Sequence, residues 1–374
     1  MEDSRLLKEI AEKMKEKNPE DIKILMGFDG FVDQVIHVVD TRYDTNHFKR
    51  INYMNDYGKK ICEAAGLSLN VEMVPVQTKL GGNGPILANS LANQGCRITY
   101  VGALGKNNVH PVFHELEEKV DVISISDPGF TDAIEFLDGK IISSKLEPLK
   151  DVNWKNLKEN VGIDQLVELI DKSDLIGFEN WTMIVETTDI WKNIIEKILP
   201  KLACKERKTL FIDLADPEKR TKGDVLEALD CLECFEEYFD TVLGLNEKEA
   251  YEIANLFGKE KQEFSNVLEV ARFLKSQIKI SEIIIHPVKQ ACGVMTGEEA
   301  IVDGPYCEKP KLTTGAGDNF NAGFVLGKML GFSLKESLLI GTANSGFYVR
   351  AARSATYDEL QHFIANWSND ILEK

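Results

Sequence analysis

Thr313-Thr314-Gly315-Ala316-Gly317-Asp318 is the segment of this chain best suited to chemistry. It runs straight into NFNAGFVLGKMLG, whose spacing is helical: Phe320 and Phe324 fall on one face, Gly323 and Gly327 on another. A Gly-Ala-Gly turn that opens a helix leaves backbone N–H groups unpaired and aimed at one spot, where the helix dipole adds partial positive charge. Such a turn can cradle a phosphate without any basic side chain. Asp318, in the first turn, is placed to take a proton from an incoming hydroxyl. The segment is not a dinucleotide fingerprint, because Phe320 stands at the third glycine position of G-x-G-x-x-G. The chain also lacks G-x-x-x-x-G-K-[ST], which disfavours P-loop chemistry.

Three further segments set polar groups beside small residues or strand ends. Gly27-Phe28-Asp29-Gly30-Phe31-Val32-Asp33 follows an apolar run and carries two aspartates. Gly81-Gly82-Asn83-Gly84-Pro85 leads into ILANSLANQG, where Pro85 suits a first helical turn and Gly95 the position just past the end. Its small residues let backbone approach a ligand, and Asn83 can both donate and accept hydrogen bonds. Asn246-Glu247-Lys248-Glu249 follows the run TVLGL. An amide and a carboxylate at a strand end can hold Mg²⁺ through its water shell, since that ion prefers oxygen and keeps waters.

These segments need a scaffold that brings them together. IKILMGF, RITYVGAL, SDLIGFEN, TLFIDLA, TVLGLN and SEIIIHP read as short buried strands, alternating with amphipathic stretches such as GIDQLVELIDKS and NVLEVARFLKSQI. That alternation predicts an α/β fold with a mostly parallel sheet covered by helices, in which ligands gather beyond the carboxyl ends of the strands. FVDQVIHVVD and DAIEFLDGKIISSKL break the rhythm and read as antiparallel strands, the second turning at Asp138-Gly139. They predict a small separate sheet, a lid with strands at about 31–43 and 131–147. A helical insertion is expected over about 44–75, and an N-terminal helix over 1–21 ahead of one domain at 22–374.

TTGAGDNFNAGF resembles the C-terminal signature of the ribokinase (PfkB) sugar-kinase family, and the other three segments fall in that family's order. The resemblance covers roughly residues 22 to 355 and implies a ribokinase-like three-layer sandwich with a small β lid. It implies ATP-dependent phosphorylation of a sugar hydroxyl, with Asp318 as general base and the Gly315-Ala316-Gly317 amides as anion hole. For the sugar it implies Asp33 (favoured for lying nearer the lid) or Asp29, with Gly81, Gly82, Asn83, the strand-end Glu179, and Arg220 of a D-P-N-x-R-like stretch. For the nucleotide it implies Asn246, Thr314, Gly293 and Asn344, and for Mg²⁺ the water-mediated pair Asn246 and Glu249. Two positions depart from the family. Leu312 replaces an Asp that helps shape a monovalent-cation site, which leaves potassium activation in doubt. IIIHPVKQACG puts His286 and Pro287 where a Thr and its neighbour are expected; His286 reads either as a base or as a satisfied strand-end histidine.

Composition removes several partner classes. The 374 residues are 43% hydrophobic and 28% charged with a net charge of −17, a field that repels nucleic acid and anionic membranes. MEDSRLLKEIAEKMKEK lacks the apolar stretch that secretion requires, and seven scattered cysteines suit a reducing cytoplasm. The expected ligands are a small-molecule sugar and MgATP. A homodimer through the lid is the assembly that the family's pairing of lid strands implies, provided the insertion leaves that edge open. Two alternatives stand beside the sugar kinase: a kinase for a nucleoside or a ketodeoxy acid sugar, and a non-catalytic sugar- or nucleotide-binding regulator on the same fold. A sugar phosphate is disfavoured because no cluster of Lys and Arg stands out on the acceptor side.

Overall fold

The computed structural model describes residues 2–204 and 206–372, and its strands form two sheets. In chain order the strands are β1 (Lys23–Gly27), β2 (Phe31–Arg42), β3 (Phe48–Arg50), β4 (Met73–Gly81), β5 (Arg97–Gly102), β6 (Asp121–Ser124), β7 (Gly129–Phe136), β8 (Gly139–Lys145), β9 (Leu175–Glu179), β10 (Lys208–Asp213), β11 (Phe239–Leu245), β12 (Glu282–Ile285), β13 (Gln290–Met295) and β14 (Glu298–Asp303). The larger sheet has the order β14-β13-β12-β11-β10-β9-β1-β5-β6. Neighbours are parallel from β6 through β12, and β13 and β14 close one edge as antiparallel strands. Each expected buried run supplies one of the parallel strands. Their nearly unbroken apolar sequences follow from having helices on both faces.

One face carries Ile176, Phe178, Ile212, Leu243 and Ile283 against Trp191, Leu229 and Val270. The other carries Met26, Phe211, Val242 and Ile284 against Leu87, Phe320, Phe324 and Leu338. On that second face lie the helices Asn83–Asn93, Ala316–Met329 and Leu334–Ala351. The last two meet almost backbone to backbone: a methyl on Gly323 would stand 2.7 Å from Asn344 Cβ and 2.8 Å from the Ile340 carbonyl oxygen. Lys328, in the last turn of the Ala316–Met329 helix, reaches Glu282 at the start of β12 (2.8 Å), so the helix is tied to the sheet at the end remote from its Gly-Ala-Gly start.

The smaller sheet covers the carboxyl ends of the parallel strands. Its order is β3-β2-β7-β8, with β4 also on β2. Contrary to expectation β2 and β7 run parallel; β7 and β8 form the antiparallel hairpin, with Leu137 and Asp138 as its loop. The 44–75 segment holds the helix Met54–Glu63, but it also supplies β3 and the first residues of β4. Pro75 hides β4 from a sequence reading, since proline lacks an N–H for a ladder; an edge strand tolerates it. Directly opposite one another across the lid stand Lys79 and Asp33, Asp33 and Thr131, and Thr131 and Ser144. The Glu2–Met14 helix packs on the C-terminal helices, with Tyr357 Oη donating to the Met14 carbonyl (2.8 Å) and Gln361 Nε2 to the Ala11 carbonyl (3.1 Å).

Glu282 is buried, and burial holds its pKa above the ordinary carboxylate value despite Lys328. Lys328→Met should therefore cost about 2 kcal/mol in urea unfolding, and adding Glu282→Leu should recover most of it. Equal stability of the single variant and the parent would show that the tie contributes nothing.

Candidate active site

The Ala316–Met329 helix begins without a side-chain cap. Its N-cap is Gly315, in a left-handed conformation at φ 92° that glycine adopts without strain. Helices starting after Thr221, Asn246, Asn266, Ser333 and Thr356 all have a side chain accepting from a first-turn amide. Among the described residues neither the Gly315 nor the Gly317 N–H has a protein partner. Ala316, expected to share the anion hole, instead donates its N–H to the Thr313 carbonyl at 3.1 Å and closes the turn. Tyr348 Oη pins the loop from behind by donating to the Thr314 carbonyl at 2.8 Å.

This turn separates two clefts. One, about 960 Å³, lies under the lid and is lined by Asp33, Asn83, Asn180, Gly315 and Asp318 among others. The other, about 370 Å³ and mostly apolar, is lined by Asn246, Pro305, Tyr306, Thr342, Gly317 and Phe320 among others. Asp318 therefore opens on the lid side and Gly317 on the opposite side.

Asp318 is 8% exposed, and Asn83 Nδ2 donates to its Oδ1 at 2.9 Å. Burial first, and then the charges of Asp213 and Asp29, hold its pKa well above the ordinary value; the Asn83 hydrogen bond works against them. Asn83 opens its own helix after Gly82 at φ 96°, so two helix N-termini converge here. Asp29 underlies that start. Its Oδ1 accepts from Gly84 N–H (2.9 Å), its Oδ2 from Asn180 Nδ2 (2.7 Å), and its carbonyl from Tyr100 Oη (2.6 Å). Burial raises its pKa to about 6. A methyl on Gly82 or Gly84 would stand 2.7 or 2.6 Å from its carboxylate, which is why that loop is built of glycine.

Of the two aspartates weighed for the sugar, only Asp33 lines the lid cleft; Asp29 is fully buried and committed to protein contacts. Burial raises the Asp33 pKa while Lys79 and Thr131 pull it down. Gly81 makes room for it, since a methyl there would lie 2.2 Å from Asp33 Cγ. Gly82 and Asn83 line the same cleft. Thr314, expected beside the nucleotide, also lines the lid cleft, where its Oγ1 accepts from Lys140 Nζ at 3.0 Å. Lys79, Lys140 and Lys311 do converge on this cleft, contrary to the expectation of no basic cluster. They come from β4, β8 and the 311–315 loop, so nothing in the linear sequence groups them.

Other expected contacts are placed elsewhere. Arg220 stacks on Trp181 (4.4 Å) and donates to the Trp181 and Val185 carbonyls at 3.4 Å each, clamping that segment without lining the cleft. Gly293 sits inside the sheet opposite Ile284, with Leu334 Cδ1 2.8 Å from where a methyl would be. Asn344 is fully buried: its Nδ2 donates to Ser90 Oγ and the Asn319 carbonyl, and its Oδ1 accepts from Gln94 Nε2. The next helix positions, Ser345 and Gly346, face the apolar cleft instead.

Glu179 ends β9 at 1% exposure with neither carboxylate oxygen partnered. Burial, with Asp213, Asp318 and Asp29 nearby, holds its pKa well above normal. Asp213 ends the neighbouring β10; its Oδ2 accepts from Asn321 Nδ2 (2.9 Å) and its Oδ1 from Ala215 N–H (2.8 Å). Asn321 follows Asp318 by three positions, so both fall on the same helical face.

Asn246 and Glu249 form a reciprocal capping box: Asn246 Oδ1 accepts from Glu249 N–H (3.0 Å), and Glu249 Oε2 from Asn246 N–H (2.9 Å). Glu249 Oε1 accepts from Asp216 N–H (2.8 Å), and burial raises its pKa to about 7. Among the described residues no group of three or more His, Cys, Asp or Glu is arranged to hold a metal directly. What the site offers is surplus negative charge and orphaned oxygens at Glu179 and Asn321 Oδ1. That fits a Mg²⁺ taking its ligands from phosphate and water, with Asn246 at one remove.

The family model for prokaryotic ketohexokinase matches residues 3–367, which takes in the N-terminal helix and the 44–75 segment. A ketohexokinase of Haloferax volcanii is 29% identical over 362 residues, 96% of this chain and 95% of that protein. Ribokinase from Thermotoga maritima superposes with a TM-score of 0.60 at 17% identity, covering 92% of this chain and 99% of its own. Arabidopsis thaliana ribokinase, solved with ribose and ATP, gives 0.63 at 15% identity, covering 92% and 98%. The two superpositions establish the fold. No helix of the described residues is long and apolar enough to cross a membrane.

Burial also raises the Asp213 pKa, to about 6, against about 3.9 in an unfolded chain. A raised acid pKa favours the fold fully below pH ~4, and that benefit is lost as pH rises past ~6. Asp213→Asn carries no such charge, and a flipped Asn321 amide can still pair with it. Its stability relative to the parent should improve by about 2 kcal/mol between pH 4 and 7 in denaturant titrations. A gap independent of pH would refute the shift.

Proposed function

The chain belongs to the prokaryotic ketohexokinase family and is a carbohydrate kinase of ribokinase fold; from that premise we propose that it transfers the terminal phosphoryl group of ATP to a hydroxyl of a ketohexose, with Asp318 as the base. The observation that carries this reading is the turn at residues 315–318, which walls one cleft off from the other while presenting Asp318 to the first and Gly317 to the second. A sugar fits the lid cleft, whose lining alternates polar Asp33 and Thr131 with apolar Val35 and Ala133. An adenine ring suits the apolar cleft beside Tyr306 and Pro305.

Phosphoryl transfer requires in-line positioning and charge stabilisation more than covalent chemistry. Asp33 orients the sugar through its hydroxyls, and Asn180 and Asn83 offer further polar contacts from the sheet side. Asp318 Oδ takes the proton of the attacking hydroxyl; its raised pKa makes it a stronger base than an ordinary carboxylate. The Gly315 and Gly317 N–H groups meet the charge that develops on the transferring group, reinforced by the helix dipole. Mg²⁺, brought with the nucleotide, would neutralise phosphate charge near Asn246. The lid strands stand over the sugar side, and Lys140 ties their hairpin to Thr314.

Two of the rival readings have less support, whereas Lys79, Lys140 and Lys311 in the lid cleft remove the ground on which a sugar phosphate was disfavoured. Arg220 was the reason to consider a carboxylated sugar, and it is turned away from the cleft. A pure binder has no use for a buried carboxylate with a raised pKa beside uncapped amides.

ADP release measured over a sugar panel with MgATP should be fastest with a ketohexose. Asp318→Asn should bind ATP normally yet lose about 10²–10⁴ in kcat; near-normal turnover would remove Asp318 from this role. Asn83→Ala deletes the hydrogen bond that favours the ionised base, so the acid limb of kcat/KM against pH should move to higher pH; an unmoved limb would mean that another group titrates.

A further inference from the structure

Behind the phosphate-cradling turn stands a tyrosine whose hydroxyl the reaction described above does not use. Tyr348 is buried on the Leu334–Ala351 helix, and its Oη donates to the Thr314 carbonyl at 2.8 Å. That carbonyl and the Gly315 N–H belong to one planar trans peptide, so they point in opposite directions. Fixing the carbonyl therefore fixes where the unpartnered Gly315 N–H is aimed. The hydroxyl also abuts the turn itself: a methyl on Gly315 would stand 2.8 Å from Tyr348 Oη. Burial, with Asp318 and Asp33 nearby, raises the phenol pKa, so the donor keeps its proton near neutral pH.

The same surroundings do not fit the monovalent cation whose site the Leu312 position helps to shape in the wider family. Leu312 lines a cleft of about 770 Å³ together with Lys311, Tyr348, Arg353 and Ser354. A hard cation needs several oxygen ligands, and the Leu312 side chain brings none. The nearby carbonyls already accept: Thr313 from Ala316 N–H (3.1 Å), Val349 from Lys311 N–H (2.8 Å), Tyr348 from Ala352 N–H (2.8 Å) and Ser354 from Arg353 Nη1 (3.2 Å). Among the described lining residues the one carboxylate is Glu115, which holds Lys119 at 2.8 Å. Lys311 and Arg353 line the cleft as cations, Arg353 paired with Glu359 at 2.6 Å. Charge and donor supply both oppose a bound potassium ion.

We propose that Tyr348 is a positioning residue: through the Thr314 carbonyl its hydroxyl aims the Gly315 N–H at the transferring phosphate, and with this tie the turn works without a monovalent cation. The proposal rests on the kinase reading above. Tyr348 lines neither ligand cleft, so it acts only through the loop.

Tyr348→Phe keeps the ring and removes only the hydroxyl. Its kcat should fall about tenfold, with KM for a ketohexose and calorimetric affinity for MgATP within about twofold of the parent. Backbone hydrogen exchange over residues 313–317 should quicken about tenfold in the variant and stay unchanged elsewhere. In the parent, kcat and that exchange should be the same in potassium, sodium and tetramethylammonium chloride at one ionic strength. Parental kcat in the variant, or a loss carried by KM instead, would overturn the positioning role. A parent that turns over faster, or protects these amides better, in potassium alone would overturn the cation-free tie. The exchange measurement reports on the tie whether or not a sugar is phosphorylated, so a parent inactive on every sugar counts against the kinase reading and not against the tie.

Discussion

The uncapped first turn of the Ala316–Met329 helix constrains everything around it. A helix start often has its free amides satisfied by a side chain, as in the helices after Asn153, Thr221, Asn246, Asn266, Ser333 and Thr356. Here Gly315 provides only backbone, and the N–H groups of Gly315 and Gly317 are left to be satisfied by something from outside the chain. The same turn carries a carboxylate that burial and neighbouring acids make basic. On the proposed function an anion comes to one side of this turn and a proton donor to the other, by way of the apolar cleft and the lid cleft.

Holding such a turn in place requires close packing. Gly323 lets the Leu334–Ala351 helix press against the site helix, Lys328 ties its far end to β12, and Tyr348 pins the loop that precedes it. On the acceptor side Gly82 and Gly84 close over the Asp29 carboxylate, which anchors Asn180 and the start of the Asn83 helix. Asn83 then reaches Asp318. The two aspartates thus differ: buried Asp29 shapes the loop, and half-buried Asp33 lines the lid cleft.

Much of this was legible in the sequence. The parallel strands announce themselves as apolar runs ending in polar residues, and Gly315–Asp318 has a spacing whose chemistry can be argued without coordinates. What escaped did so for physical reasons. Pro75 disguised β4 and with it Lys79; Lys140 and Lys311 reach the cleft only through the tertiary fold. Asn344 and Ser345 are adjacent in sequence but about 100° apart on a helix, so one is buried and the next faces the cleft. Arg220 stands near the expected place, yet its guanidinium is drawn to Trp181 and to backbone carbonyls. His286 reads as a satisfied strand-end residue until its missing partner is seen.

The central claim is that residues 315–318 stand between donor and acceptor. A crystal structure with a ketohexose and a non-hydrolysable ATP analogue tests it directly. The account requires the terminal phosphate within about 3 Å of the Gly315 and Gly317 nitrogens and one sugar hydroxyl at a similar distance from Asp318. A terminal phosphate bound away from this turn, or a sugar that leaves Asp318 without a hydroxyl neighbour, would contradict it.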